Sequence, residues 1–177
     1  AEALKNNVGL ETSSAFDINI IEKLYDQGLL PKDRFIICNG FKRKEYIENI
    51  CRLVNTGFEN VIPVIDNKNE LFEYRFKKNA KVKLGIRIAA EEEPTFEFYT
   101  SRLGIRYNDI VPYYRLYLKN HPNFELKMLH FFINTGIRDN AYYWSELAKA
   151  VNVYVELKRE CPTLDSLNIG GGFPVRT

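Results

Sequence analysis

Short apolar runs alternate along the chain with stretches whose apolar residues recur every three or four positions. Runs of this kind are typical of buried β-strands, and the longer periodicity is typical of helices with one buried face. Pro63 is an unusual residue for a central strand, because it cannot donate a ladder hydrogen bond. Six strands are predicted, at about 8–11, 35–38, 61–65, 82–89, 126–133 and just before the glycines at 170–172.

Five helices are predicted between these strands. Ser13 or Ser14 caps the first helix, because a serine oxygen can accept one of the free N–H groups there. The apolar face of this helix carries Ile18 and Ile21, and the helix stops near Gly28. The other four helices are predicted at about 47–57, 66–75, 109–120 and 140–160.

Strand and helix alternate about every thirty residues, which indicates an α/β fold with a parallel sheet. An open dinucleotide-binding sheet would carry Gly-x-Gly-x-x-Gly after its first strand, and the sequence has no such turn there. A glycine turn after the last strand instead favours the (β/α)8 TIM-type barrel, which takes roughly 250 residues. Residues 1–177 are therefore predicted to form one partial barrel domain.

The glycine triplet Gly170, Gly171 and Gly172 follows the last predicted strand. Three residues without a Cβ leave backbone N–H groups accessible, and such a turn can surround a phosphate. Barrels often bind phosphorylated ligands at this end of a late strand. A plain turn between strand and helix uses glycine as well, so both interpretations remain open.

Composition excludes several classes of function. Lys and Arg total 25 against 23 for Asp and Glu, and a net charge of +2 does not favour nucleic acid as a partner. No apolar stretch approaches the roughly 18 residues of a membrane helix. Cys38, Cys51 and Cys161 lack metal-ligand spacing and fit buried thiols in a reducing cytoplasm. With only His121 and His130, a histidine-based zinc site or a Ser-His-Asp triad is not expected.

Several segments resemble, in chain order, the pyridoxal-phosphate decarboxylases with an alanine-racemase-like barrel. Residues 168–174, Asn-Ile-Gly-Gly-Gly-Phe-Pro, resemble the phosphate-binding turn of that family. The family includes ornithine, diaminopimelate and biosynthetic arginine decarboxylases, and the arginine enzymes are the most similar. The other similar segments are residues 9–14 (Gly-Leu-Glu-Thr-Ser-Ser), 36–42 (Ile-Ile-Cys-Asn-Gly-Phe-Lys), 85–87, 101–105 and 129–131.

The resemblance implies decarboxylation of L-arginine to agmatine and CO₂ with pyridoxal 5′-phosphate as cofactor. Gly170, Gly171 and Gly172 would then bind the phosphate. Arg87 matches the strand arginine that family members place beneath the cofactor, although a buried ion pair is an equal alternative. Mg²⁺ is implied for some arginine decarboxylases by the same resemblance.

One segment departs from the family pattern His-x-Gly-Ser, in which the histidine stacks on the cofactor ring and the serine reaches the phosphate. This chain has Phe132-Ile133-Asn134-Thr135 there. Phe132 can still stack on a ring, but it cannot hydrogen-bond or titrate as histidine does. Thr135 keeps a hydroxyl for the phosphate. His130 lies two residues before Phe132 and so on the same face, where it replaces the missing imidazole or belongs to the core.

The resemblance also implies parts that lie outside these residues. No lysine here is nominated as the Schiff-base lysine, which is expected upstream, so no catalytic residue is assigned within the chain. A C-terminal β domain is expected downstream. The chain is thus expected to hold about barrel strands two to seven, to be inactive alone, and to belong to a homo-oligomer. Two alternatives remain: an ornithine or diaminopimelate decarboxylase, and a non-catalytic barrel that has lost cofactor chemistry.

Overall fold

Seven parallel strands form one sheet in the computed structural model, which describes residues 3–90, 103–133 and 140–171. The spatial order is β1-β2-β3-β4-β6-β7, and the short β5 pairs with the end of β4. The strands are β1 Leu10–Thr12, β2 Ile36–Cys38, β3 Val61–Ile65, β4 Val82–Ala89, β5 Ile105–Arg106, β6 Phe124–Phe131 and β7 Ser166–Asn168. The predicted parallel α/β sheet is therefore confirmed, and β5 is an additional strand.

The helices are α1 Ala15–Asp26, α2 Lys44–Asn55, α3 Tyr107–Tyr113 and α4 Asn140–Lys158. Ser14 is the N-cap of α1, as predicted. Its side chain accepts a hydrogen bond from the N–H of Asp17, and the Asp17 carboxylate accepts from the N–H of Ser14. This reciprocal pair satisfies two N–H groups that a helix start leaves without partners.

The prediction of a helix at 66–75 is wrong, because only a single 3₁₀ turn, Glu70–Glu73, forms there. Glu70 is buried, and its carboxylate accepts a hydrogen bond from the N–H of Asp66. The backbone of Tyr74 is already extended. Arg75 donates to the carbonyl oxygens of Phe72 and Tyr74, so it satisfies acceptors that a longer helix would use.

The helix expected at 109–120 begins earlier, at Tyr107, and changes from an α-helix to a π-helical turn after Tyr113. Pro112 lies inside α3 and has no N–H to donate to the preceding turn. The chain then widens into a π-helical turn, Tyr114–Leu118, which the hydrogen bond from Lys119 N to Tyr114 O closes at 2.9 Å.

Pro63 is accommodated in the middle of the sheet. The pairing of β3 with β2 runs through Pro63, which lies beside Cys38, whereas the pairing with β4 begins only at Val64. All five residues of β3 are buried, as is typical of a parallel strand covered on both faces. The three cysteines are free and buried, as the composition predicts.

The pairing of β4 with β6 contains a one-residue irregularity. Leu84 lies beside Leu126, but Gly85 lies beside Met128, so Lys127 is an extra residue in β6. The shift places Arg87 beside His130 in the register.

The sheet is strongly curled, because side chains of its two outer strands touch. Glu11 in β1 accepts a hydrogen bond from the Asn168 amide in β7 at 3.3 Å. In the described part of the chain β1 and β7 nevertheless pair with one strand each. The arrangement is thus a curled, incomplete barrel. Within the same ranges, no helix has both the length and the apolar character needed to cross a membrane.

The outer edges of β1 and β7 predict self-association of residues 1–177 when they are produced alone. Edge strands carry N–H and C=O groups that can pair with another chain. We expect a mass above that of the monomer, rising with concentration, in light scattering coupled to gel filtration. A monomer that unfolds cooperatively at every concentration would contradict this expectation.

An exposed ion cluster predicts how stability depends on acid. Hydrogen bonds from Arg115 and then Lys119 lower the pKa of Glu160 to about 2. A carboxylate with a depressed folded-state pKa stabilises the fold above its unfolded pKa of about 4.3 and loses that contribution as the pH falls towards 2. Glu160→Gln should therefore lower the free energy of unfolding at pH 6, and the difference from the parent should shrink at pH 3.

Urea unfolding at the two pH values measures this difference. Glu59→Gln removes an exposed carboxylate and is the control. Because the Glu160 cluster is exposed, 0.5 M salt should also reduce the difference. An equal difference at pH 6 and pH 3 would argue against the ion cluster as its cause.

Candidate functional site

A row of polar residues crosses the sheet near the carboxyl ends of four neighbouring strands. Arg87 in β4 lies beside His130 in β6, which lies beside Asn168 in β7. Asp66 follows Ile65, the partner of Ile86, and therefore occupies the position next to Arg87. We call these four residues, Asp66, Arg87, His130 and Asn168, the polar row. In parallel barrels this end of the strands carries the functional groups.

Asp66 and Arg87 form a buried ion pair. Their side chains are 0% and 7% exposed, and Asp66 Oδ1 lies 3.5 Å from Arg87 Nη1. This distance is long for a hydrogen bond, so the attraction is mainly Coulombic. Neither carboxylate oxygen of Asp66 has a hydrogen-bond partner among residues 3–90, 103–133 and 140–171. Asp66 is therefore a buried acceptor that is incompletely satisfied by the described residues.

Phe132 lies two residues after His130, directly beyond the carboxyl end of β6. The guanidinium carbon of Arg87 is 5.7 Å from the centre of the Phe132 ring, within the range of a cation–π contact. The rings of His130 and Phe132 are nearly parallel, at 10°, with centres 6.5 Å apart. Strand alternation predicted that these two rings share a face, and the geometry confirms it.

The surroundings of His130 lower its pKa and so favour the uncharged form of the imidazole. Burial lowers its pKa, and the positive charge of Arg87 lowers it further. Its Nδ1 atom is buried and has no hydrogen-bond partner among the described residues. His130 is thus buried like a core residue and also belongs to the polar row. The sequence left open whether His130 belongs to the core or replaces the missing imidazole, and its position is compatible with both.

The glycine turn packs directly against Phe132. Gly170 has φ +71°, and a Cβ there would lie 2.9 Å from both Phe131 O and Phe132 Cδ2. Its N–H donates to the Asn168 side chain at 2.9 Å. At Gly171 no atom of the described residues lies within 4 Å of the equivalent Cβ position. The turn is therefore close to Phe132 at its first glycine and accessible at its second.

The structure brings together four of the seven nominated residues: Arg87, His130, Phe132 and Gly170. Gly171 follows at the open end of the turn. Thr135 and Gly172 lie outside the described residues, as does the segment 91–102.

Glu11 and Asn39 were missed by the sequence reasoning. The Glu11 carboxylate accepts from the amides of Asn39 and Asn168, which lie at the ends of β2 and β7. Glu11 is exposed on the concave side, where these strand ends converge. The sequence did contain a signal for these two residues. Polar residues end or directly follow several predicted strands, and functional residues of barrels lie at the carboxyl ends of their strands.

Lys42 was also missed. Its side chain is 0% exposed and forms an ion pair with Glu70 at 3.1 Å. Its Nζ also donates to the carbonyl oxygens of Gly40 and Val64 at 2.9 and 2.6 Å. Lys42 ends the family-like segment 36–42, but that segment does not mark the lysine as buried, because its partners Val64 and Glu70 come from a different strand and turn.

The arrangement fits a flat, negatively charged ligand such as pyridoxal phosphate. Phe132 offers a ring face, Arg87 a positive charge, and Gly171 an unobstructed backbone. The buried Nδ1 of His130 is available for a hydrogen bond from outside the described residues. Among those residues no group of three or more His, Cys, Asp or Glu side chains could hold a metal ion.

The fold is that of the barrel domain of a cofactor-binding decarboxylase family. Residues 4–177 match the family described as pyridoxal-dependent decarboxylase, pyridoxal binding domain. The chain belongs to this family.

Three comparisons describe its similarity to known members. Biosynthetic arginine decarboxylase of Geobacter sp. (strain M21) is 25% identical over 178 residues, which cover 97% of this chain and 27% of the relative. The structure of biosynthetic arginine decarboxylase SpeA from Campylobacter jejuni aligns with a TM-score of 0.66 and 26% identity, over 95% of this chain and 27% of that one. Diaminopimelate decarboxylase from M. jannaschi aligns with a TM-score of 0.71 and 19% identity over 97% and 40%.

The predicted family and barrel fold are thereby confirmed. The chain spans about a quarter of the length of the arginine decarboxylases that it matches. The last of the three similarities, at 19% identity, supports the fold alone.

The packing of the glycine turn predicts unequal effects of two alanine substitutions on stability without cofactor. Gly170→Ala should cost about 2 kcal/mol, because a left-handed conformation disfavours a Cβ by 1–2 kcal/mol and the methyl group also meets Phe131 and Phe132. Gly171→Ala, with open space, should change the free energy of unfolding by less than about 0.5 kcal/mol. Denaturant unfolding of the two variants measures the difference, and equal costs would show that the turn does not pack as described.

Proposed function

We propose that this chain is the cofactor-binding part of a decarboxylase that converts L-arginine to agmatine and CO₂. In the net reaction the bond between the α-carbon and the carboxylate breaks, and a proton takes the place of the carboxylate. The observation that carries the proposal is the meeting of Arg87, His130 and Phe132 beside the glycine turn. The choice of arginine rests on the similarity to biosynthetic arginine decarboxylases over 97% of the chain.

The glycine turn is assigned to the phosphate. Gly171 and Gly172 would donate backbone N–H groups, and Thr135 would add its hydroxyl. Gly170 contributes mainly the shape of the turn, because Asn168 already accepts its N–H. A phosphate contact to Gly170 would require that hydrogen bond to be exchanged.

Bound pyridoxal phosphate supplies an electron-withdrawing ring that stabilises negative charge at the substrate α-carbon once CO₂ has left. Phe132 would contact a face of this ring, and Arg87 would lie beneath it. Neutral His130 can exchange a hydrogen bond without adding a charge. Asp66 and Arg87 of the polar row are buried, so their charges act more strongly than they would in water.

Phe132 in place of the family's usual histidine is compatible with Arg87 below it. The face of a phenyl ring attracts a guanidinium, whereas a protonated imidazole would be repelled by it. The same replacement removes a group that hydrogen-bonds and titrates, which favours the second candidate function, a non-catalytic barrel. Ornithine and diaminopimelate remain alternative substrates.

The Schiff-base lysine is proposed to come from sequence outside these 177 residues, as are the C-terminal β domain and a partner subunit. Lys42 is not a substitute, because its ammonium group donates to three acceptors and is closed off from solvent. Mg²⁺ and a cytoplasmic location stay predictions from the sequence.

The complete reading frame, expressed with pyridoxal phosphate, should release labelled CO₂ from carboxyl-labelled arginine with an equal amount of agmatine. Ornithine, diaminopimelate and lysine, each offered separately, identify the substrate. Arg87→Met should lower kcat/KM at least about tenfold, which corresponds to ~1.4 kcal/mol of transition-state stabilisation. Phe132→His restores the residue usual in the family and should retain or raise activity.

Two outcomes would change the proposal. Faster turnover of another amino acid than of arginine would reassign the substrate. Folded protein that is inactive with all four amino acids, with and without Phe132→His, would favour the non-catalytic barrel.

A further inference from the structure

A second buried ion pair lies next to the polar row. Lys42 follows β2, and Glu70 lies in the 3₁₀ turn after β3; their side chains are 0% and 2% exposed. Tyr74 donates its hydroxyl hydrogen to Glu70 Oε1 at 2.7 Å, and Lys42 lies 3.1 Å from the same oxygen. This carboxylate is therefore fixed on one side by two donors.

The other oxygen of Glu70 holds the backbone of the polar row. Asp66 N donates to Glu70 Oε2 at 2.9 Å in a buried hydrogen bond. The carbonyl oxygen of Asp66 accepts from Gly104 N at 2.6 Å, just before β5. Both backbone groups of Asp66 are thus fixed, which fixes the direction in which its Cα–Cβ bond leaves the backbone.

The orientation of Asp66 matters because of Arg87. Since the Asp66 carboxylate attracts Arg87 over 3.5 Å, a shift of Asp66 would change the pull on the guanidinium. The guanidinium in turn lies over the Phe132 ring at 5.7 Å. A continuous series of contacts therefore runs from Lys42 through Glu70, Asp66 and Arg87 to Phe132.

We infer that Glu70, held by Lys42, is a positioning residue that fixes Asp66 and through it sets Arg87 against the Phe132 ring. This inference rests on the proposed function for the identity of the ligand, but not for the contacts. A buried ion pair is a weak source of stability, since loss of hydration offsets the attraction. Positioning gives this pair a role beyond stability.

The chain contains a matched control for Glu70. Glu146 in α4 is also buried and accepts from a tyrosine hydroxyl, that of Tyr107, at 2.9 Å and from Lys149 at 2.6 Å. These partners lie in or beside the outer helices. Shortening either glutamate by one methylene disturbs a buried carboxylate bonded to a lysine and a tyrosine, but among the contacts of residues 3–90, 103–133 and 140–171 it is Glu70 that bonds to the polar row.

The experiment uses the complete reading frame and compares Glu70→Asp with Glu146→Asp. Pyridoxal phosphate is titrated into each protein, and its dissociation constant and visible circular-dichroism band are measured. Glu70→Asp should weaken binding about tenfold or more and change the band, because a small displacement of a positioning group is costly. Glu146→Asp should stay within about threefold of the parent, with an unchanged band.

Two double variants test whether the hydrogen bond to Asp66 N or the charge of the Lys42–Glu70 pair is required. Because both variants lose both charges, neither leaves a single buried charge that could cause misfolding. Lys42→Met combined with Glu70→Gln removes both charges but keeps an acceptor for Asp66 N, so binding and the band should be retained. Lys42→Met combined with Glu70→Leu removes the acceptor as well, and binding should fall as in Glu70→Asp. Retained binding and an unchanged band in Glu70→Asp or in the Leu double variant would overturn the inference.

Crystal structures of the cofactor-free proteins separate this inference from the proposed function. In Glu70→Asp the Arg87 guanidinium should move away from Asp66 and Phe132, whereas in Glu146→Asp it should stay. An unmoved guanidinium in Glu70→Asp overturns the inference. A parent that binds no pyridoxal phosphate overturns the proposed function, while the crystal structures still decide the positioning.

Discussion

The register between β4 and β6 determines which residues meet at the site. If the register ran unbroken and Lys127 paired with Gly85, Arg87 would lie beside Leu129, and the guanidinium would have an apolar neighbour in place of His130. The irregularity therefore places a cation, an imidazole and the amide of Asn168 at one level of three strands. The contact of Arg87 with Phe132 and the part of the lowered His130 pKa that comes from Arg87 depend on this alignment.

Local patterns predicted the parts of the fold that local physics controls. The strand at 82–89 and the Ser14 cap were recognised because strand patterns and helix caps depend on residues that are neighbours in the sequence. The expected helix after β3 failed because Glu70 bonds to Lys42 and to the backbone of Asp66, which a helical periodicity cannot reveal. Likewise, the π-helical turn follows Pro112 and a change in hydrogen-bond spacing.

The candidate site was predicted to a similar extent. Arg87, Phe132, His130 and the glycines were found through resemblance and strand alternation, which together identify residues on one face. Glu11, Asn39 and Lys42 lie in the family-like segments 9–14 and 36–42 but were not nominated for the site, since they meet partners more than twenty residues away. Contacts between different strands appear only once the register of the sheet is known.

The hydrogen bond between Glu11 and Asn168 has a consequence for the order of assembly. It joins residues 157 positions apart in the sequence, and the glycine turn begins two residues after Asn168. A chain that emerges from the ribosome can form the sheet from strand β1 through strand β6 before Asn168, the last member of the polar row, has been added. The polar row is therefore completed only when β7 docks, and long-range closure of this kind is slow relative to local folding.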